Sequence, residues 1–171
     1  MTENPDDSPP SPPEFQRKLA FYPYQLVGLL LILAVPTLAV LGVFGESFAE
    51  VSASSSDLAM QVTYTTRHRY QMAADLEVAV QNLSDQPLST LTIRIDNHYL
   101  RRFSNIQFTP SVTHITATHH EVELTDIAPG ESRMVIIELE AEHYGEHEGV
   151  ISASADEAEP VELNISTLIL P

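Results

Sequence analysis

From Leu58 onward, apolar and polar residues alternate along this chain, the period-two signature of half-buried strands. In Asp75–Leu83 (DLEVAVQNL), Leu76, Val78 and Val80 alternate with Glu77, Ala79 and Gln81. Ser89–Asp96 (STLTIRID) places Leu91, Ile93 and Ile95 on one face, and Ser132–Glu142 (SRMVIIELEAE) is a third such run. Further strands are expected at Leu58–Thr66, in IQFTP and THITATHHEVEL, and at Gly149–Ala155 and Val161–Leu170. Turns are expected at Ser84-Asp85-Gln86-Pro87 and at Pro129-Gly130. His98–Asn105 does not alternate and is read as a short helical turn with Tyr99 and Phe103 facing inward. Val78, Val80, Ile93, Val135 and Ile137 are the expected core. Many short strands with almost no helical pattern argue for an all-β antiparallel sandwich over residues 58–171.

A different pattern precedes it. Leu26–Gly45 (LVGLLLILAVPTLAVLGVFG) is apolar and uncharged, and the uncharged run reaches back to Leu19. A helix of roughly 20 residues at about 1.5 Å each spans the hydrocarbon core of a bilayer. Residues 19–45 are therefore expected to be one transmembrane helix. Tyr22 and Tyr24 suit the aromatic belt at one end, Phe44 and Phe48 the other. Pro36 should kink the span and free the Ile32 carbonyl, with Thr37 near enough to help satisfy it. Gly28, Ala34, Pro36, Ala39 and Gly42 are small or kinked positions that allow a partner helix to approach. Residues 1–18, rich in Pro, Ser and acid, read as a disordered tail. Residues 46–57, including Val51–Asp57 (VSASSSD), read as a flexible linker.

Orientation follows from charge. Arg17 and Lys18 precede the span, and no base follows it before Arg67. The positive-inside rule places the N-terminus in the cytoplasm and residues 58–171 outside, in a bacterium the periplasmic side of the inner membrane. A signal peptide is the alternative, because Ser47-Phe48-Ala49 before Glu50 has small-x-small cleavage character. The long apolar run and the long acidic segment before it favour an uncleaved anchor.

The chain has 171 residues and a formal net charge of −16, with Lys18 its only lysine. That balance excludes a positive footprint for nucleic acid. It keeps the domain soluble, and an acid-rich, lysine-poor chain also fits a salt-adapted source. There is no cysteine, hence no disulfide, no thiol nucleophile and no lipid-attachment cysteine.

Two stretches carry a family resemblance. LEVAVQNLSDQPLSTLTIRI (76–95) looks like the strand–turn–strand of immunoglobulin-like or fibronectin-III-like accessory domains. LTDIAPGESRMVIIELEA (124–141) resembles their later turn into a long hydrophobic strand. The resemblance covers about residues 58–170, without the cysteine pair and tryptophan of antibody domains. It implies an immunoglobulin-like sandwich with an accessory or assembly role.

Candidate chemistry is sparse. His143 and His147 form an H-x₃-H pair beside Glu142, Glu146 and Glu148, in a stretch (EHYGEHEG) expected to be a hairpin loop. His114, His119 and His120 form a second cluster. Imidazole with carboxylate could hold zinc, copper or nickel, so these are the candidate metal ligands of an alternative reading, an extracytoplasmic metal-binding or sensing protein. No nucleophile elbow, phosphate loop or H-E-x-x-H motif is present. The expectation is a non-enzyme with no cofactor, metal or small-molecule substrate. It would be an accessory or scaffolding subunit whose partners are integral membrane proteins and the lipid around its helix.

Overall fold

In the computed structural model, residues 22–42, 45–155 and 159–171 are described. The expected tail (1–18), with Arg17 and Lys18, and Phe44 lie outside them. The chain forms two compact units, Met1–Val43 and Phe44–Pro171.

In the first unit, α1 spans Pro23–Val40. Pro23 stands at the first helical position, where its missing N–H costs nothing. The Gln25 side chain accepts from the Tyr22 N–H at 3.1 Å, and Tyr22 stacks on Tyr24 at 5.5 Å. Pro36 lies inside the helix. Thr37 Oγ1 donates to the Leu33 carbonyl at 2.7 Å, and not to the carbonyl of Ile32. Of the expected 19–45, residues 19–21 and 43–44 lie outside the described residues. The helix closes at Leu41 and Gly42, where Gly42 has φ +75° and donates to Ala39 O at 3.1 Å. A glycine in the left-handed region is a common helix terminator. Gly42 thus acts as the stop signal of α1.

The second unit is all-β apart from one helical turn. Its strands are β1 (Ser47–Ser54), β2 (Leu58–Arg69), β3 (Ala73–Asn82), β4 (Leu88–Asp96) and β5 (Phe103–Thr109). After these come β6 (His114–Ile115), β7 (His119–Ile127), β8 (Ser132–Ala141), β9 (Gly145–Ala155) and β10 (Val161–Leu170). The turn α2 (Asn97–Leu100) follows β4, begun by Asp96, whose carboxylate accepts from the His98 N–H at 2.8 Å. As expected, Tyr99 and Phe103 face inward.

The expectation of two separate packed sheets needs correction. The ten strands form one continuous sheet in the order β5-β8-β3-β2-β10-β9-β4-β7-β6, with β1 added on β2. The sheet curls around a single core. The cause is β2, long enough to serve both halves: Leu58–Thr63 pair antiparallel with β3, and Arg67–Arg69 pair parallel with β10. Every other neighbouring pair is antiparallel. The concave face carries the inward half of each alternation. Val78, Val80, Ile93, Val135 and Ile137 are all buried, as expected, with Leu58, Met60, Val62, Leu91, Ile151 and Ile165 beside them.

A second correction concerns residues 46–57, which are mostly strand. β1 pairs with β2 from Ser54↔Ala59 to Ser47↔Arg67. Ala49, Val51 and Ala53 pack against the core, while Phe48, Glu50, Ser52 and Ser54 face out. A third concerns EHYGEHEG: β9 starts at Gly145, so His147 stands on a strand and only residues 142–144 form the loop.

The two ends of the curled sheet differ. At the root, where the chain enters at Ser47, lie the ends of β2, β8 and β10 and the start of β9. Tyr70 N–H donates to Leu170 O at 2.9 Å, and Gln71 N–H to Ala141 O at 2.8 Å. At the tip, Asn82 is fully buried and staples two turns together. Its amide donates to Gln86 O (2.8 Å) and Ile127 O (3.1 Å), and its Oδ1 accepts from Ser84 N–H (2.9 Å) and Ser84 Oγ (2.7 Å). Gly130, at φ +75°, donates to Asn82 O at 2.9 Å.

Candidate functional site: the apolar helix and the histidine-bearing sheet

Helix α1 is the feature with the least ordinary physics. Its 18 residues give a rod of about 27 Å at 1.5 Å per residue. Mean hydropathy is 1.9 and none of the helix is buried, with Leu30 63%, Ile32 71% and Val40 88% exposed. Each exposed Leu, Ile or Val costs roughly 1.5–3 kcal/mol relative to burial, so the bare helix in water is disfavoured by on the order of 20 kcal/mol. By length and composition it can cross a membrane. The small positions do not form one stripe. At 100° per residue, Gly28 and Ala39 fall on one face, and Ala34 points away from it. Nothing approaches within 4 Å of the position a Gly28 Cβ would take.

The histidines of the β unit are scattered by strand geometry. His119 and His120 are adjacent on β7, so their side chains leave opposite faces. His119 Nε2 donates to Glu121 Oε1 at 3.0 Å, and the same carboxylate accepts from Arg94 Nε at 2.8 Å. The Arg94 guanidinium holds the Glu121 carboxyl below the usual carboxylate range, with His119 adding to the effect. His120 turns the other way, hydrogen-bonds Asn97 Oδ1 at 2.5 Å and stacks on Phe108 at 5.6 Å. Burial, followed by the neighbouring His119, pushes its pKa down. His114 is 3.9 Å from Glu123. The ring of His147 does not meet that of His143; its Nε2–H donates to the His143 carbonyl at 2.8 Å. Among the described residues, no three His, Asp or Glu side chains converge as a metal site would require.

The interior holds polar and close-packed groups whose partners the sequence did not identify. Tyr99 is 2% exposed, and its hydroxyl hydrogen-bonds Thr167 Oγ1 at 3.0 Å, which in turn donates to Thr65 O at 2.8 Å. Burial pushes the Tyr99 phenol up to about 12, so it stays neutral. Gly149 exists for this ring: a Cβ there would lie 2.5 Å from Tyr99 Cβ. No local pattern marks Gly149, because its partner Tyr99 is distant in sequence. Asn82 begins an N-x-S sequon and is sealed in the turn of the folded domain. At the root, Tyr70 and Tyr144 pack ring on ring at 4.7 Å.

No family model matches the sequence, and no curated protein aligns with it significantly. Several solved structures are distantly similar to the chain. The CARDB domain of the PF1109 protein from Pyrococcus furiosus, solved with di-metal ions, has a TM-score of 0.44 and 15% identity over 71% of this chain and 95% of that one. A conjugative transposon lipoprotein from Bacteroides eggerthii has a TM-score of 0.43 and 9% identity over 70% and 95%. The GAE domain of GGA2p from Saccharomyces cerevisiae has a TM-score of 0.36 and 12% identity over 72% and 98%. Likenesses this distant carry no argument about function.

Proposed function

We propose that this chain is a non-catalytic accessory or scaffolding subunit of a membrane protein complex. Helix α1 is its membrane span, and the curled β unit is an immunoglobulin-like module on the extracytoplasmic face. The observation that carries the reading is α1 itself: apolar on every side, uncharged, and uncovered by its own unit. Intramembrane ionisable residues mark proton and ion pathways, and α1 has none, so its role is anchoring and packing. Arg17 and Lys18 ahead of it support a cytoplasmic N-terminus. The signal-peptide alternative is disfavoured by β1, because cleavage after Ala49 would remove the Ser47, Phe48 and Ala49 pairings with β2.

Two measurements test this. The native chain, extracted from membranes in mild detergent, should co-purify with a stoichiometric integral membrane partner. A monomer without a partner, with no cross-link in intact cells, would overturn the subunit reading. A periplasm-active reporter fused after Pro171 should be active; activity only from a cytoplasm-active reporter would reverse the orientation.

A further inference from the structure

The exposed apolar residues of the β unit are unevenly placed. Leu83, Ile115, Met134 and Val150 are dispersed, one in the turn after β3 and the others on β6, β8 and β9. Phe48 (64% exposed), Met72 (47%), Tyr144 (55%) and Leu168 (39%) all lie at the root. Pairing puts them there. Phe48 stands opposite Thr65, and Leu168 opposite Arg67, near the end of β2. Met72 N–H donates to Arg69 O at 3.3 Å and Met72 O accepts from Ala141 N–H at 3.1 Å, three residues before Tyr144. Tyr70 packs on Tyr144 and fixes its ring at the surface. The tip is the reverse, with Asp57, Asp85, Asp126 and Glu131 around the Asn82 staple, and Arg133 there is paired with Glu131 at 2.9 Å.

We propose that the root of the β unit is a lipid-contacting surface, seated in the headgroup layer of a zwitterionic bilayer through Phe48, Met72 and the Tyr70–Tyr144 pair. This rests on α1 being the membrane span. Residues 41–46 alone separate the end of α1 from the start of β1. Fully extended, that stretch reaches about 25 Å, so the surface through which the chain enters the domain stays beside the membrane. Its chemistry fits that layer. Tyrosine is the belt residue of membrane interfaces, a ring among acyl chains with its hydroxyl in water, and Phe and Met add apolar depth. Charge does not drive the contact, because Glu46, Glu142 and Glu146 offset Arg67 and Arg69 at this end and leave no positive footprint for anionic headgroups. A zwitterionic surface is the one the residues fit. The acidic tip then faces water.

The chain has no tryptophan, so one introduced indole reports alone. The full chain, as Tyr144→Trp, Leu83→Trp and Leu30→Trp variants, is reconstituted into phosphatidylcholine vesicles containing lipid brominated just below the headgroup. The expected result is a blue shift and loss of emission for Tyr144→Trp, and neither for Leu83→Trp at the tip. Met72→Trp supplies a second root probe if Tyr144→Trp disturbs the ring pair. Root probes that stay as unquenched as Leu83→Trp, while Leu30→Trp in the helix is quenched, overturn the lipid contact and leave the span intact. If deeply brominated lipid also fails to quench Leu30→Trp, the span reading fails and the lipid contact falls with it.

Discussion

Replacing Gly149 by alanine adds one methyl group, and the structure says where it goes. The new Cβ would sit 2.5 Å from Tyr99 Cβ, 2.7 Å from Cγ and 3.0 Å from Cδ2. Carbon pairs are comfortable at about 3.5–4.0 Å, so something must move by about 1 Å. Tyr99 cannot move freely. Its hydroxyl is bonded to Thr167, its ring packs on Phe103 at 4.9 Å, and it is 2% exposed. Overpacking of this kind costs about 1–3 kcal/mol, and a displaced hydroxyl adds about 1 kcal/mol for the lost hydrogen bond. The expected destabilisation is about 2–4 kcal/mol, a fall in Tm of about 10 °C for a domain this size. The sign is diagnostic. Gly149 does not have positive φ, so if the contact with Tyr99 were absent, Gly→Ala would stabilise by about 0.4–1 kcal/mol through the unfolded chain. Thermal melts of the Gly45–Pro171 fragment followed by circular dichroism decide between them. In a Tyr99→Ala background the penalty should shrink, because the Cγ and Cδ2 contacts are gone and the truncated side chain leaves room for the Cβ contact to relax. A Gly149→Ala melt at or above wild type would refute the packing described for α2.

Further outcomes follow from the same structure. Asn82→Ala should destabilise by about 2–4 kcal/mol in urea unfolding, because the Ile127 and Gln86 carbonyls and the Ser84 N–H lose their partner in a buried turn. A fragment starting at Ser55 should unfold at lower urea than one starting at Gly45, because it lacks β1 and the cover given by Ala49, Val51 and Ala53; equal midpoints would mean that β1 adds nothing. Glu121 has a lowered folded pKa, so its contribution is present above the unfolded value near 4.5 and is lost as pH falls through the lowered one. Glu121→Gln should therefore lower Tm at neutral pH, and the gap from wild type should close in acid. The purified β unit should bind zinc, copper or nickel no more tightly than its His143→Ala/His147→Ala variant in calorimetric titration, since the His147 ring is spent on the His143 carbonyl.

What could be read from the sequence tracks contrast between neighbouring residues. In β3, β4 and β8, Leu, Val and Ile alternate with charged or polar residues, and their inward faces were plain. β1 alternates too, but through Val51 and Ala53 against Ser52 and Ser54, side chains too small for the difference to show. Its strand character comes from having β2 as a partner, which no local window contains. The N-terminal part of β9 was hidden by its own polarity: the pairing of Gly145–Glu148 with Ser166–Ile169 outweighs a loop-like composition. The single curled sheet depends on the parallel pairing of Arg67–Arg69 with Leu168–Leu170, a contact 100 residues apart that period-two patterns do not encode. Among site features, the apolar helix was legible because it needs no partner to be recognised. The histidines looked clustered along the chain, but adjacent strand residues face apart. The root patch of Phe48, Met72 and Tyr144 was invisible because one strand and two turns, distant in sequence, assemble it.

Strand β1 also has a mechanical consequence. Load transmitted along the chain reaches the β unit at Ser47, and a pull along the strand axis runs down β1. The hydrogen bonds that tie β1 to β2, from Ser47↔Arg67 to Ser54↔Ala59, lie across that direction and share the load in shear, so they yield together and not one at a time. A floppy linker would have absorbed tension by uncoiling; a paired strand passes it directly into β2. Because β2 is bonded to both β3 and β10, the pull is spread over both halves of the sheet.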